Sequence, residues 1–162
     1  MPGPFSLFSR RSAPSVDDRR GVQQYFIRSH PLIARAMATR KGWLTELGRV
    51  ALQVQNNRVP AAMRDAADTS RIYTRLYAEL RDTLQKVEPP VDAATCHGHL
   101  MAIVEHLARA NAALGAMAPH NAPRQLGEAR LAMRDAREAV TAYNQARQLV
   151  RERYHLPGVG AA

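Results

Sequence analysis

The sequence of residues 31–56, PLIARAMATRKGWLTELGRVALQVQN, gives the clearest indication of the fold. Its apolar side chains recur at steps of three and four residues, which places them on one face of a helix. That face comprises Leu32, Ile33, Ala36, Met37, Trp43, Leu44, Leu47, Val50, Ala51 and Val54. Pro31 suits the first turn of such a helix, and Asn56 and Asn57 suit its end. The stretch therefore predicts a long amphipathic helix.

Three more patterns of the same kind follow, separated by breaks that contain proline. Pro60 suits the first turn of the second helix, Pro89 and Pro90 end it, and Asp92 is a good N-cap for the third. The three helices are predicted over about residues 60–87, 93–117 and 124–155. Four amphipathic helices with short connections predict an all-α fold, an antiparallel up-down four-helix bundle.

The N-terminal region differs in composition from the predicted helices. Residues 1–15 contain three prolines, four serines and two arginines, a composition typical of a flexible arm. Asp17 and Asp18 favour a short extra helix that ends near Ser29, after which Pro31 either begins a new helix or kinks a continuous one. We therefore divide the chain into a flexible basic arm, a helical bundle and a disordered tail, over residues 1–15, 16–156 and 157–162.

Length and composition restrict the class of protein. At 162 residues the chain fits a single domain with a sizeable core. Cys96 is the only cysteine, so an intramolecular disulfide is excluded. No apolar run is long enough to cross a bilayer, and the N-terminus lacks the apolar segment of a signal peptide. We therefore expect a cytoplasmic protein with no membrane contact.

Positive charge is concentrated toward the N-terminus. The chain carries a net charge of +9. Residues 1–58 contain ten basic and three acidic residues, a net +7, whereas residues 59–162 contain thirteen and eleven, a net +2. A positive field at one end attracts polyanions such as nucleic acid or acidic proteins.

Arginines of the arm and of the first long helix are the candidate nucleic-acid-binding residues. Arg28, Arg35 and Arg49 recur at multiples of seven, roughly along one line of the helix and away from its apolar face. They are predicted to track a phosphate backbone together with the arginines that precede them. The full set is Arg10, Arg11, Arg19, Arg20, Arg28, Arg35 and Arg49. The alternative is an ordinary solvated helix face. Tyr25 and Phe26 lie among these arginines, where they are candidates for base stacking, whereas Trp43 is assigned to the core.

Cys96, His97, His99 and His106 are the richest group of potential metal ligands. His99 and His106 fall on one flank of their predicted helix, about two turns and roughly 10 Å apart. That separation is too large for both to bind one ion, and the alternative assigns them to the boundary of the core beside a buried thiol. We expect no metal and no cofactor.

The segment from Arg151 to His155 reads Arg-Glu-Arg-Tyr-His. It resembles the Arg-to-His motif near the final helix of HEPN ribonucleases, which are also small helical bundles. Three residues separate Arg151 from His155, whereas the family places four to six between them. The resemblance is limited to this pentapeptide and implies ribonuclease activity as an alternative function. A helix end at which Arg and His interact with the last carbonyls explains the same residues.

Arg40 and Arg147 fall inside the apolar faces of their helices. A buried guanidinium without a partner is costly. Each is therefore expected to reach the rim of the bundle, or to contact a ligand or another subunit.

The leading functional prediction is a non-enzymatic accessory or assembly subunit that binds RNA or DNA within a larger complex. One alternative is a homo-oligomeric scaffold with an acidic protein partner. Another is a metal-binding or HEPN-like ribonuclease bundle.

Overall fold

A computed structural model describes residues 14–157 as an all-α protein. Its four long helices are α1 (Val16–Gln55), α2 (Val59–Gln85), α3 (Ala94–Gly115) and α4 (Ala122–Arg153), and a short 3-10 turn, Val91–Ala93, precedes α3. The four helices form a bundle, and no strand occurs within residues 14–157. The predicted all-α class and helical bundle are therefore confirmed, and α2, α3 and α4 begin and end within two residues of their predicted bounds. Among the described helices, none is long and apolar enough to cross a membrane.

Helix α1 is one continuous element of 40 residues, so the structure has the continuous alternative at Pro31 and not the separate short helix before it. A capping box begins it, in which the Ser15 hydroxyl and the Asp18 backbone pair at 3.0 Å. Pro31 is exposed, and buried side chains continue across it on one face, with Ser29 before it and Ile33 after it. Packing on both sides of Pro31 therefore holds the helix together despite the missing backbone N–H. At the far end Asn57 adopts a left-handed conformation, φ 57°, as is common just after a helix.

Ion pairs show the relative direction of neighbouring helices. Arg35 pairs with Glu79 at 2.9 Å and Arg49 with Asp65 at 3.1 Å, so the partner number on α2 falls as the number on α1 rises. Arg109 likewise pairs with Asp135, and Arg153 near the end of α4 pairs with Asp92 just before α3. Each helix packs mainly on the next one along the chain, whereas α1 and α4 contact each other sparingly. The seam between α1 and α4 is therefore the loosest in the bundle.

A polar residue sits at the centre of the core. Asn111 of α3 is 1% exposed. Its side-chain oxygen accepts a hydrogen bond from the Trp43 indole at 2.9 Å. Its amide nitrogen donates to the Ser70 carbonyl at 3.0 Å and to the Thr74 hydroxyl at 2.9 Å. One side chain thus joins α1, α2 and α3 through hydrogen bonds among otherwise apolar groups.

Asp92 does not cap α3 as predicted. No side-chain capping bond precedes α3, because the 3-10 turn occupies that position. The Asp92 carboxylate instead accepts hydrogen bonds from Arg153, at 2.7 Å, and from the Tyr154 hydroxyl. Asp92 therefore ties the end of α4 to the start of α3.

Two glycines of α1 provide a matched test of how closely α1 and α2 pack. A Cβ atom on Gly42 would lie 2.6 Å from the Tyr73 hydroxyl oxygen, whereas a Cβ on Gly48 would have no neighbour within 4 Å. We expect Gly48→Ala to raise the free energy of unfolding by about 0.5–1 kcal/mol through helix propensity. Gly42→Ala is expected to lower it by about 1 kcal/mol because Tyr73 must move. Urea unfolding of both variants measures the difference in the free energy of unfolding. An equal increase in both would mean that α1 and α2 move apart beside Gly42 without an energetic cost.

Candidate functional site

The described candidate arginines divide into two groups according to their partners. Arg19, Arg20 and Arg28 are exposed on the first half of α1. Arg19 donates to the His155 carbonyl at 3.1 Å. Within residues 14–157, the ion pairs involve none of these three side chains. Arg10 and Arg11 lie outside the described residues.

Arg35 and Arg49 are engaged with carboxylates. Arg35 lies 2.9 Å from Glu79, and hydrogen bonds from Arg35 and then Arg75 lower the pKa of Glu79. Arg49 contacts Glu46 at 2.5 Å as well as Asp65. Their positive charge is therefore largely compensated locally, and the least compensated part of the predicted line is its N-terminal end.

Lys86 is a basic residue of this region that sequence reasoning missed. Arg28, Lys86 and Glu88 line one recess of about 470 Å³ beside Tyr25, where α1 meets the end of α2. Lys86 is exposed and immediately follows α2. Helical periodicity within α2 gives no information about a residue just outside it, so only the packing of α1 on α2 reveals this proximity.

The aromatic residues near these arginines are not available as stacking platforms. Trp43 and Tyr25 are buried, and Phe26 is half-buried with the Arg147 guanidinium carbon 5.9 Å from its ring centroid. Any contact with nucleic acid on this surface therefore relies on charge rather than on base stacking.

The Cys96 region is a buried polar cluster. The Tyr25 hydroxyl and His97 Nδ1 are 3.2 Å apart. Burial raises the pKa of the Cys96 thiol and lowers the pKa of His97. Burial also raises the pKa of Tyr25, and it raises that of Tyr143 to about 12 even though Arg147 acts in the opposite direction. These groups are therefore held neutral.

His99 and His106 are half-buried on α3. Residues 14–157 contain no group of three or more His, Cys, Asp or Glu side chains arranged to hold a metal ion. Their half-buried side chains lie at the boundary of the core.

A cleft of about 250 Å³ opens at the seam between α1 and α4. Its walls come from the first half of α1, from the end of α4 and from the last two described residues. The lining residues are Gln23, Phe26, Ile27, His30, Arg147, Arg151, Leu156 and Pro157. The cleft thus combines an apolar surface with two guanidinium groups.

Arg147 is the most buried cation described, at 9% exposed. Its Nε is buried without a hydrogen-bond partner in residues 14–157, and the same holds for Nε of Arg151. Sequence reasoning placed Arg147 in the apolar face of its helix, and the structure confirms this. Arg40 is half-buried, and its Nε also has no partner among the described groups.

The two ends of the Arg151–His155 segment have different surroundings. Arg151 lines the cleft, whereas His155 follows the end of α4, is exposed and has φ 48°. Arg153 and Tyr154 between them bind Asp92. The middle of the segment therefore has a structural role in joining α4 to α3.

Comparison of the chain with models of known families, with curated proteins and with solved structures finds no match.

Proposed function

We propose that this chain is a non-enzymatic helical-bundle subunit that binds nucleic acid, RNA or DNA, through the N-terminal half of α1, as part of a larger cytoplasmic assembly. The observation that carries the proposal is the net +7 of residues 1–58 combined with the exposure of Arg20 and Arg28, which form no ion pair within the described chain. Arg10, Arg11 and Arg19 add charge on the N-terminal side, and Lys86 adds charge from the end of α2.

Geometry supports contact with a phosphate backbone. Arg20 and Arg28 are eight residues apart on one helix, about 12 Å by helix rise. One strand of duplex DNA carries a phosphate about every 3.4 Å along the axis, so this span covers about three to four phosphates. Because Tyr25 and Trp43 are buried and Phe26 is half-buried against Arg147, we expect binding that depends on charge and is tolerant of sequence.

Exposed apolar side chains support the assembly part of the proposal. Val91 is 92% exposed, and Val91 and Leu149 line the same shallow recess, next to Asp92 and Thr95. Large apolar groups at that exposure are suited to burial against a second copy or another protein.

A charge-matched pair of triple variants tests the nucleic-acid contact. Replacing Arg20, Arg28 and Lys86 with Gln is expected to weaken binding of every sequence. It should also flatten the dependence of log K on log salt by up to about three, because up to three phosphate contacts are lost. Replacing Arg124, Arg130 and Arg137, exposed on α4 and not ion-paired within residues 14–157, removes the same charge elsewhere and should change the slope little. Fluorescence anisotropy with labelled single-stranded RNA and duplex DNA at several salt concentrations provides the measurement.

Two results would count against the proposal. Equal loss of affinity in both triple variants would mean that the affinity depends on the net charge of the whole protein and that no localised site exists. No binding by the wild type even at low salt would overturn the nucleic-acid function, and the scaffold with an acidic protein partner would then take its place.

A further inference from the structure

We propose that the cleft between α1 and α4 is a binding site for a small organic carboxylate with a compact apolar body. The site is separate from the basic surface of α1. Ile27 lines the cleft and Arg28 lines the recess with Lys86, and adjacent residues of a helix point about 100° apart. The proposal therefore does not depend on nucleic-acid binding.

The positive charge of Arg147 would be neutralised by a bound anion. Arginine stays protonated in proteins, and Arg147 is 9% exposed. No carboxylate of residues 14–157 pairs with it, and its Nε has no partner among the described groups. The Phe26 ring lies 5.9 Å from the guanidinium carbon and offers it a cation–π contact. Because burial of an uncompensated cation is unfavourable, a ligand that supplies a negative charge would stabilise the folded state.

A second guanidinium makes the site suited to a carboxylate. Arg151 lies one turn after Arg147 on α4, lines the same cleft and also has a buried Nε without a partner in the described chain. Residues four apart on a helix are neighbours on one face. Two forked donors on one wall can hold both oxygens of a carboxylate. His30 on the opposite wall adds a ring N–H donor.

The remaining walls favour an apolar body. Phe26, Ile27, Leu156 and Pro157 line the cleft, and Ile27 is 62% exposed, so a ligand there would remove a large apolar side chain from water. The volume of about 250 Å³ is below the range of roughly 300–1,000 Å³ typical of drug-sized ligands. A short aliphatic or single-ring carboxylate therefore fits better than a nucleotide, whose sugar and phosphates are strongly hydrated.

Three probes separate the parts of this proposal. Hexanoate carries both the charge and the apolar body, hexan-1-ol carries the body alone, and inorganic phosphate carries charge alone. Isothermal titration of the full-length protein into the millimolar range is expected to show saturable binding of hexanoate at one site. Hexan-1-ol and phosphate are each expected to bind at least about 10-fold more weakly, because either loss removes about 1.4 kcal/mol or more.

Variants on α4 locate the site. Arg147→Gln is expected to weaken hexanoate binding at least about 10-fold, whereas Arg137→Gln, on an exposed part of the same helix, should leave it unchanged. Arg147→Met, which retains the bulk of the side chain, should lose hexanoate binding while the ligand-free protein melts at the same or a higher temperature. That second readout distinguishes lost binding from lost folding.

Several results would overturn the assignment. Absence of saturable hexanoate binding would exclude a carboxylate site. Equal binding of hexan-1-ol would mean that the cleft is only an apolar crevice, and equal binding of phosphate would mean that it attracts any anion. Undiminished binding by a folded Arg147→Gln variant would place the ligand elsewhere.

Discussion

Replacing Asn111 with Ala is expected to lower the free energy of unfolding by about 3–5 kcal/mol. The substitution leaves the indole N–H of Trp43 buried without its acceptor, which alone costs about 1–3 kcal/mol. It also removes both donations to α2 and leaves a cavity where three helices meet. The effect is expected to be large because one buried side chain serves three hydrogen-bond partners.

Urea unfolding monitored by circular dichroism checks this expectation. Asn144→Ala, an exposed change on α4, is the matched control and should shift stability by less than about 0.5 kcal/mol. A double-mutant cycle with Trp43→Phe, which keeps most of the ring volume, isolates the indole-to-amide hydrogen bond, and we expect a coupling of about 1 kcal/mol or more. A loss below about 1 kcal/mol for Asn111→Ala would mean that the core rearranges around the vacancy.

Pro31→Ala is expected to act in the opposite direction and to raise the free energy of unfolding by about 1–3 kcal/mol. Proline in a helix interior removes one backbone hydrogen bond and clashes with the preceding turn, at a cost of about 3 kcal/mol relative to Ala. Part of the gain is offset because Ala makes the unfolded chain more flexible, by about 0.4–1 kcal/mol. Pro31 is exposed, so its removal creates no cavity.

The control for Pro31 is a proline at a position that favours proline, the first turn of a helix. Pro60 lies in the first turn of α2, where its missing N–H has no helical partner in any case, so Pro60→Ala should give no gain. Both variants are compared by urea unfolding. Destabilisation by Pro31→Ala would mean that α4 and the cleft require a bend in α1 that the proline sets.

Much of the fold could be predicted from local pattern. The apolar steps of α2, α3 and α4 and the prolines between them locate those helices, because an amphipathic face and a broken backbone are properties of neighbouring residues. The continuity of α1 through Pro31 was one of two alternatives that local pattern left open. It depends on Ser29 and Ile33 being buried by other helices, which outweighs the local penalty of the proline. Asp92 fits a capping position by sequence, yet its charged partner Arg153 lies 61 positions away.

The candidate site was less predictable than the fold because the charge that an arginine presents to a ligand depends on which carboxylates of other helices pair with it. Arg28, Arg35 and Arg49 are equivalent by helical phase, but Glu79 and Asp65 on α2 compensate the last two. Arg147 could be singled out as a cation on an apolar face. Its association with Arg151, His30 and an apolar wall depends on how α1 crosses α4. The apolar periodicity of a single helix carries no information about that crossing.

The walls of the cleft come from opposite ends of the chain, and this has a consequence for the order of folding. Arg19 contacts the backbone of His155, 136 positions along the chain, whereas consecutive helices meet after short connections. Closing the longest loop costs the most chain entropy, and α1 contacts α4 sparingly. Docking of the first half of α1 onto α4 is therefore expected to be the last step of assembly and its reversal the easiest partial opening. A ligand that bridges Phe26 and Arg147 would act as a kinetic clamp, slowing unfolding from the one seam that opens first.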